Sequence, residues 1–164
     1  SIETSADIND VYVYDNRAYI ASQKSTGAIT VYNVSNPSFP QQLSIIDFAD
    51  AGLSVFAKDP FTLFSGIGND FNIYNMTNPQ SPVLVSTIDV GNVINDIYVV
   101  DYLAFLATGD SNKEFQIVNV ANYSNPYIYA TLNFPQMGTG IAYRNNIVYM
   151  SVRSNDALRI ITSL

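Results

Sequence analysis

Two aspartates occupy one position of a repeated phrase: Asp10 in INDVYVYDNRAYIA (8–21) and Asp96 in INDIYVVDYLAFLA (94–107). Two carboxylates converging with backbone carbonyls would offer the oxygen shell that a hard cation such as Ca²⁺ or Na⁺ takes. The same side chains at the start of a strand also accept from nearby backbone N–H groups, with no ion involved. The loop GDSNKE (109–114) supplies further oxygen ligands, Asp110 and Asn112 among them, though not at EF-hand spacing. Such polar loops are where a rigid scaffold recognises a partner. Tyr123, Tyr127 and Tyr129 crowd into one short stretch and form the aromatic candidate for a contact surface. Other tyrosines, such as Tyr12, Tyr19 and Tyr98, lie in strand-like runs where packing accounts for them.

The residue inventory removes several chemistries. The chain has no cysteine and no histidine, which excludes thiolate nucleophiles, Ser-His-Asp triads and zinc sites with Cys or His ligands. Glu3 and Glu114 are the only glutamates, and the aspartates fall mostly at turns, so no catalytic carboxylate pair stands out. A net charge of −7 leaves no basic stripe to neutralise phosphates, so nucleic acid is not expected as a partner. No apolar run approaches the ~18 residues of a membrane helix, so no membrane insertion is expected. The opening SIETSAD lacks the pattern of a signal peptide.

The elements that must position these residues come from a repeat. VYNVSNPSFP (31–40), IYNMTNPQSP (73–82) and IVNVANYSNP (117–126) recur at 42 and 44 residues. A second anchor agrees, placing Val11, Val55, Ile97 and Ile141 at one position. A third is the apolar run AITVYNV, DFNIYNM, EFQIVNV and ALRIITS. Each unit reads as four short alternating strands, and nothing sustains a helical period. Units of this size and content match propeller blades. The NPxxP phrase reads as a turn: Asn36 and Asn78 can accept from their own backbone two residues on, and proline cannot continue the ladder.

The fold class expected is therefore all-β, a β-propeller of four four-stranded blades in a single domain over residues 1–164. The units run over about 8–50, 51–92, 93–136, and 137–164 plus 1–7. The fourth unit stops after three strands. Ile2 precedes Val11 by the interval that separates Ile46 from Val55, so the N-terminal strand is expected to close the last blade. Half of an eight-bladed ring, or a fragment of a longer repeat array, are the alternatives.

The phrases ITVYNVSNPSFPQQL, FNIYNMTNPQSPVLV and FQIVNVANYSNPYIY resemble the LVIVD-repeat proteins, β-propellers of bacterial and archaeal surface or secreted proteins. The chain departs from that pattern at Asn33, Asn75 and Asn119, where the family has Asp, and at Tyr123, where a Pro is lost. The resemblance implies the fold and an extracellular or cell-surface setting, but no shared activity. The expectation is a non-catalytic binding or adhesion module for a protein or glycan ligand. A structural subunit that self-assembles is the alternative, with a carboxylate-based glycan hydrolase third. No cofactor is expected beyond a Ca²⁺ or Na⁺ ion held by Asp10 and Asp96.

Overall fold

A computed structural model describes residues 3–24 and 26–162. The four repeat units become four antiparallel sheets, and no helix occurs among the described residues. The first holds β1 (Ile8–Tyr14), β2 (Arg17–Ser22), β3 (Ile29–Asn33) and β4 (Gln41–Ile46). The second holds β5 (Gly52–Asp59), β6 (Thr62–Ile67), β7 (Asp70–Asn75) and β8 (Val83–Asp89). The third holds β9 (Ile94–Val100), β10 (Leu103–Thr108), β11 (Phe115–Asn119) and β12 (Tyr127–Leu132). The fourth has three strands, β13 (Gly138–Arg144), β14 (Ile147–Val152) and β15 (Leu158–Thr162). Within each sheet the strands lie in chain order.

Local chemistry explains the strand ends. The β1–β2, β9–β10 and β13–β14 hairpins turn through left-handed residues, Asp15 (φ 53°), Asp101 (φ 50°), Asn145 (φ 53°) and Asn146 (φ 60°). Asp and Asn tolerate that region best among residues with a side chain, and such turns match the twist of the strands. The NPxxP phrase is built the same way three times. Asn36, Asn78 and Asn122 each accept from the N–H two residues on, at 3.1, 3.2 and 3.1 Å. Asn33, Asn75 and Asn119 repeat the bond one step earlier, each at 2.9 Å. The phrase is architecture.

The sheets stack face to face through their first strands, β1 on β5, β5 on β9 and β9 on β13. Between the first two sheets lie Tyr19, Ile29 and Val31 against Val55, Ala57 and Leu63. Between the next two, Phe64, Phe71 and Ile73 meet Ile97, Val99 and Leu106. Phe105 and Phe115 then meet Val148 and Met150. The same strand positions supply each half of every junction, so each sheet has an incoming and an outgoing apolar face. Along the first strands runs an aromatic ladder, Tyr12 on Phe56 at 4.7 Å and Phe56 on Tyr98 at 5.1 Å between ring centroids.

The expected single-chain closure is not seen among the described residues: β1 does not pack on β13 as successive first strands pack on one another. Each junction sets an angle between sheets, and three such angles leave the first and fourth sheets apart. The proposed closing strand at Ile2 lies outside the described residues, and Glu3–Asp7 form no strand.

Gly52 marks the tightest approach at a junction. A Cβ there would lie 2.1 Å from the Ala28 carbonyl oxygen and 2.9 Å from its carbon, both backbone atoms that cannot swing away. Gly52→Ala is expected to cost about 2–3 kcal/mol and to lower the melting temperature by roughly 5–10 °C in a thermal scan. Gly138→Ala meets the flexible Met150 methyl at 2.1 Å and a backbone atom, the Glu114 carbonyl oxygen, only at 2.8 Å, and should cost less.

Candidate functional site

All four first strands skip a residue against their partner at one place, leaving Asn9, Leu53, Asn95 and Thr139 as β-bulges. A bulge bends the strand and re-aims its side chain. Here it turns Asn9 and Asn95 onto the next sheet. Asn9 Nδ2 donates to the Gly52 carbonyl and Asn95 Nδ2 to the Gly138 carbonyl, each at 2.7 Å. The four bulged residues, with Met137 and Arg153, line a cleft of about 250 Å³ where the sheets converge.

The next residue in each odd sheet is Asp10 or Asp96. Asp10 Oδ1 accepts from the Val11 N–H of its own strand at 2.7 Å, and Oδ2 from Val55 of the next sheet at 2.9 Å. Asp96 does the same with Ile97 at 2.8 Å and Ile141 at 2.6 Å. Each carboxylate is therefore a staple between two sheets. At the same position the even sheets carry Ser54, whose Oγ donates to the Ile94 carbonyl at 2.9 Å, and Gly140.

This arrangement does not suit the cation expected at Asp10 and Asp96. Every carboxylate oxygen already faces a backbone N–H, whose positive end repels a cation, and no cluster of three acidic ligands occurs among the described residues. Burial pushes the Asp96 carboxyl up to about 6, against the two N–H bonds that lower it, and the Asp10 charge adds to the rise. Asp10 is raised as well, chiefly by burial.

The other candidates separate into frame and periphery. Tyr123 belongs to the frame: its ring meets Phe64 edge-on at 5.8 Å, and its carbonyl accepts from Ser86 Oγ at 2.5 Å. Half-buried, it borders a cleft of about 360 Å³ with Phe61, Tyr74 and Val85. Tyr127 and Tyr129 are exposed on the outer strand β12. Tyr129 stands at a bulge, where the equivalent Leu43 packs on the core instead. It borders an apolar cleft of about 410 Å³ with Leu103, Ile117 and Tyr143. In the 109–114 loop, Asp110 Oδ1 accepts from the Asn112 N–H at 2.8 Å, an ordinary Asx turn. Asp110 borders a polar cavity of about 340 Å³ with Ser111, Gln136 and Arg153, while the buried Glu114 holds the Phe134 N–H at 2.7 Å.

Sequence reasoning missed Asn9 and Asn95. The signal was present in the repeated Ile-Asn-Asp at 8–10 and 94–96, matched by a glycine, Gly52 or Gly138, at the facing position.

No protein-family model matches the chain, and no curated protein does. Solved structures do match. The computationally designed Ika8 protein is similar at TM-score 0.73 and 13% identity over 94% of this chain and 45% of its own. The designed Ika4 protein is similar at TM-score 0.73 and 12% identity over 98% of this chain and 93% of its own. A chain of a nidogen/laminin complex is similar at TM-score 0.65 and 9% identity, over 90% of this chain and 55% of its own. This chain thus spans less than half of Ika8. At such identities the likeness shows a propeller-like all-β fold and nothing about activity. The LVIVD-repeat resemblance rests on the repeat residues alone.

The raised Asp96 carboxyl has a signed consequence. It titrates near 6 when folded and at the ordinary 3.8 when unfolded. The folded chain therefore holds an extra proton between those values, and stability rises as pH falls through 6 toward 4, by up to roughly 3 kcal/mol. The melting temperature is expected to be several degrees higher at pH 5 than at pH 8, with the difference reduced in Asp96→Asn. Calorimetry of both proteins across that range checks it; an identical pH slope would remove the assignment. Added Ca²⁺ is expected to leave the melting temperature unchanged.

Proposed function

We propose that the four sheets are four blades of a β-propeller, and that the chain is a non-catalytic binding or adhesion module at the cell surface or outside the cell, taking a protein or glycan ligand. The observation that carries this reading is a division of side chains. The carboxylates that could do chemistry, Asp10, Asp96 and Glu114, are engaged by backbone N–H groups inside the frame. The aromatic rings of Tyr127 and Tyr129 and the Asn112 side chain are exposed at the periphery. Rigid amphipathic rings beside adaptable polar groups are what a recognition surface uses, because they bury area at small cost in side-chain freedom. The resemblance to LVIVD-repeat proteins agrees with the extracellular setting. A structural subunit of an assembly is the second reading, favoured by the exposed apolar residues Val11, Val13 and Ile160 at the two ends of the stack.

Screening on glycan and extracellular-protein arrays tests the proposal. Any ligand found should bind about tenfold or more weakly to the double variant Tyr127→Ala/Tyr129→Ala, with its melting temperature within a degree or two of the parent. Undiminished binding would move the contact surface elsewhere. Cleavage of an oligosaccharide by the parent chain but not by Asp96→Asn would replace the reading with a hydrolase.

A further inference from the structure

The two end faces of the stack carry the same kinds of apolar side chain as its inner faces, but several of those side chains are exposed; on the first sheet, Glu3, Thr4 and Ser5 border the face beside Ile8, Ile20 and Tyr32. On the incoming face, Val11 and Val13 are 57% and 56% exposed, while their equivalents Val55 and Ile97 are each 2% exposed and Ala57 and Val99 are buried. On the outgoing face of the fourth sheet, Ile160 is 62% exposed, whereas Val31 and Ile73 at the same position are fully buried. Leu158 is likewise exposed where Ile29, Phe71 and Phe115 are buried. Contiguous apolar faces of this kind mark interfaces.

The polar groups at the two ends correspond as well. At the junction of the second and third sheets, Ser54 sits opposite Gly66 across the β5–β6 pair and donates to the Ile94 carbonyl. The missing side chain of Gly66 makes room: a Cβ would come within 2.7 Å of Ile94. In the fourth sheet the two residues are exchanged, with Gly140 opposite Ser151. The Ser151 hydroxyl lies 2.9 Å from where a Cβ on Gly140 would stand and shares a hydrogen bond with Thr139 Oγ1 at 2.9 Å; with Thr139 as the donor, the Ser151 proton remains available. Ile8 holds the position of Ile94 on the first sheet.

We infer that the occupant of these faces is a second copy of this chain. The fourth sheet of each copy packs on the first sheet of the other, and the Ser151 hydroxyl donates to the Ile8 carbonyl across the junction. The seat is an extension of the interface already repeated three times inside the chain. Because the contact is head to tail and made twice, it closes with two-fold symmetry into one ring of eight sheets. Its fit within the fold agrees with the match of 94% of this chain to 45% of Ika8. The inference rests on the propeller reading of the sheets and not on what the loops bind, so failure of one leaves the other standing.

Sedimentation velocity of the chain over roughly 1–100 µM, a span chosen to bracket a micromolar Kd, is expected to show the sedimentation coefficient rising with concentration and levelling at that of a species of twice the monomer mass. Val13→Glu and Ile160→Glu are each expected to be monomeric, with circular dichroism and melting close to the parent, since both side chains already face solvent in one copy. Mixed one to one, they should recombine into a heterodimer, because the intact outgoing face of the first variant meets the intact incoming face of the second. A parent chain that stays monomeric overturns the inference. So does growth into ever larger species, which means a junction that does not close, and so does failure of the two folded variants to recombine.

Discussion

A four-stranded sheet that is apolar on both faces must be covered on both faces, and this one constraint organises the molecule. A single unit of this sequence buries too little surface to fold alone, because Val55 and Leu63 on one face and Phe64 and Ile73 on the other each need a neighbour. Stacking supplies that neighbour and passes the same need to the next sheet. At about 25 cal/mol per Å² of apolar surface, the side chains buried at each junction outweigh any single hydrogen bond that accompanies it. The hydrogen bonds then select one geometry among the ways two apolar faces could meet.

That selection alternates along the chain. Junctions from an odd to an even sheet carry an Asn and an Asp clamp, Asn9 with Asp10 and Asn95 with Asp96. The junction from the second to the third sheet carries the neutral Ser54 instead. Alternation keeps carboxylates off adjacent inner strands, where like charges in a poorly solvated site repel strongly. Even at this spacing, Asp10 contributes to the rise of Asp96. The glycines follow the same rhythm: Gly52 and Gly138 let the clamped sheets approach until the carboxamides reach their carbonyls. The functional unit of the fold is therefore a pair of sheets, occurring twice.

Much of this architecture is legible in the sequence itself. The three anchors place the strands and all three proline-type turns, because alternation and turn chemistry are local properties of a few neighbouring residues. The angle between sheets is not legible there, since it arises from Tyr12, Phe56 and Tyr98 packing across units and from clamps set by a bulge. That angle decides whether the first sheet meets the fourth, so strand counting alone cannot place the end faces. At the candidate site, the repeat gives the shared position of Asp10 and Asp96 but not their environment. Four backbone N–H groups converge on the two side chains, two of them from the same strand and two from sheets further along the chain. Tyr123 misleads for a related reason. The turn is held by the Asn122 carboxamide, with or without proline, so the lost Pro signals a vacancy that the ring fills inward against Phe64.

The burial gradient explains where variation is cheap. Inner and middle strands such as β6 and β10 are buried almost throughout, whereas β12 is exposed at nearly every position. An outer strand is bonded along one edge and contributes little to either junction, so a side chain there can change without disturbing the stack. The bulge position shows the outcome: Leu43 in the first sheet packs on the core, whereas Tyr129 in the third projects into solvent beside an apolar cleft. Freed from packing, the outer strand is the place where one repeat can differ from another in what it contacts. The inner strands, held to one angle by charge and close approach, keep that place fixed in space.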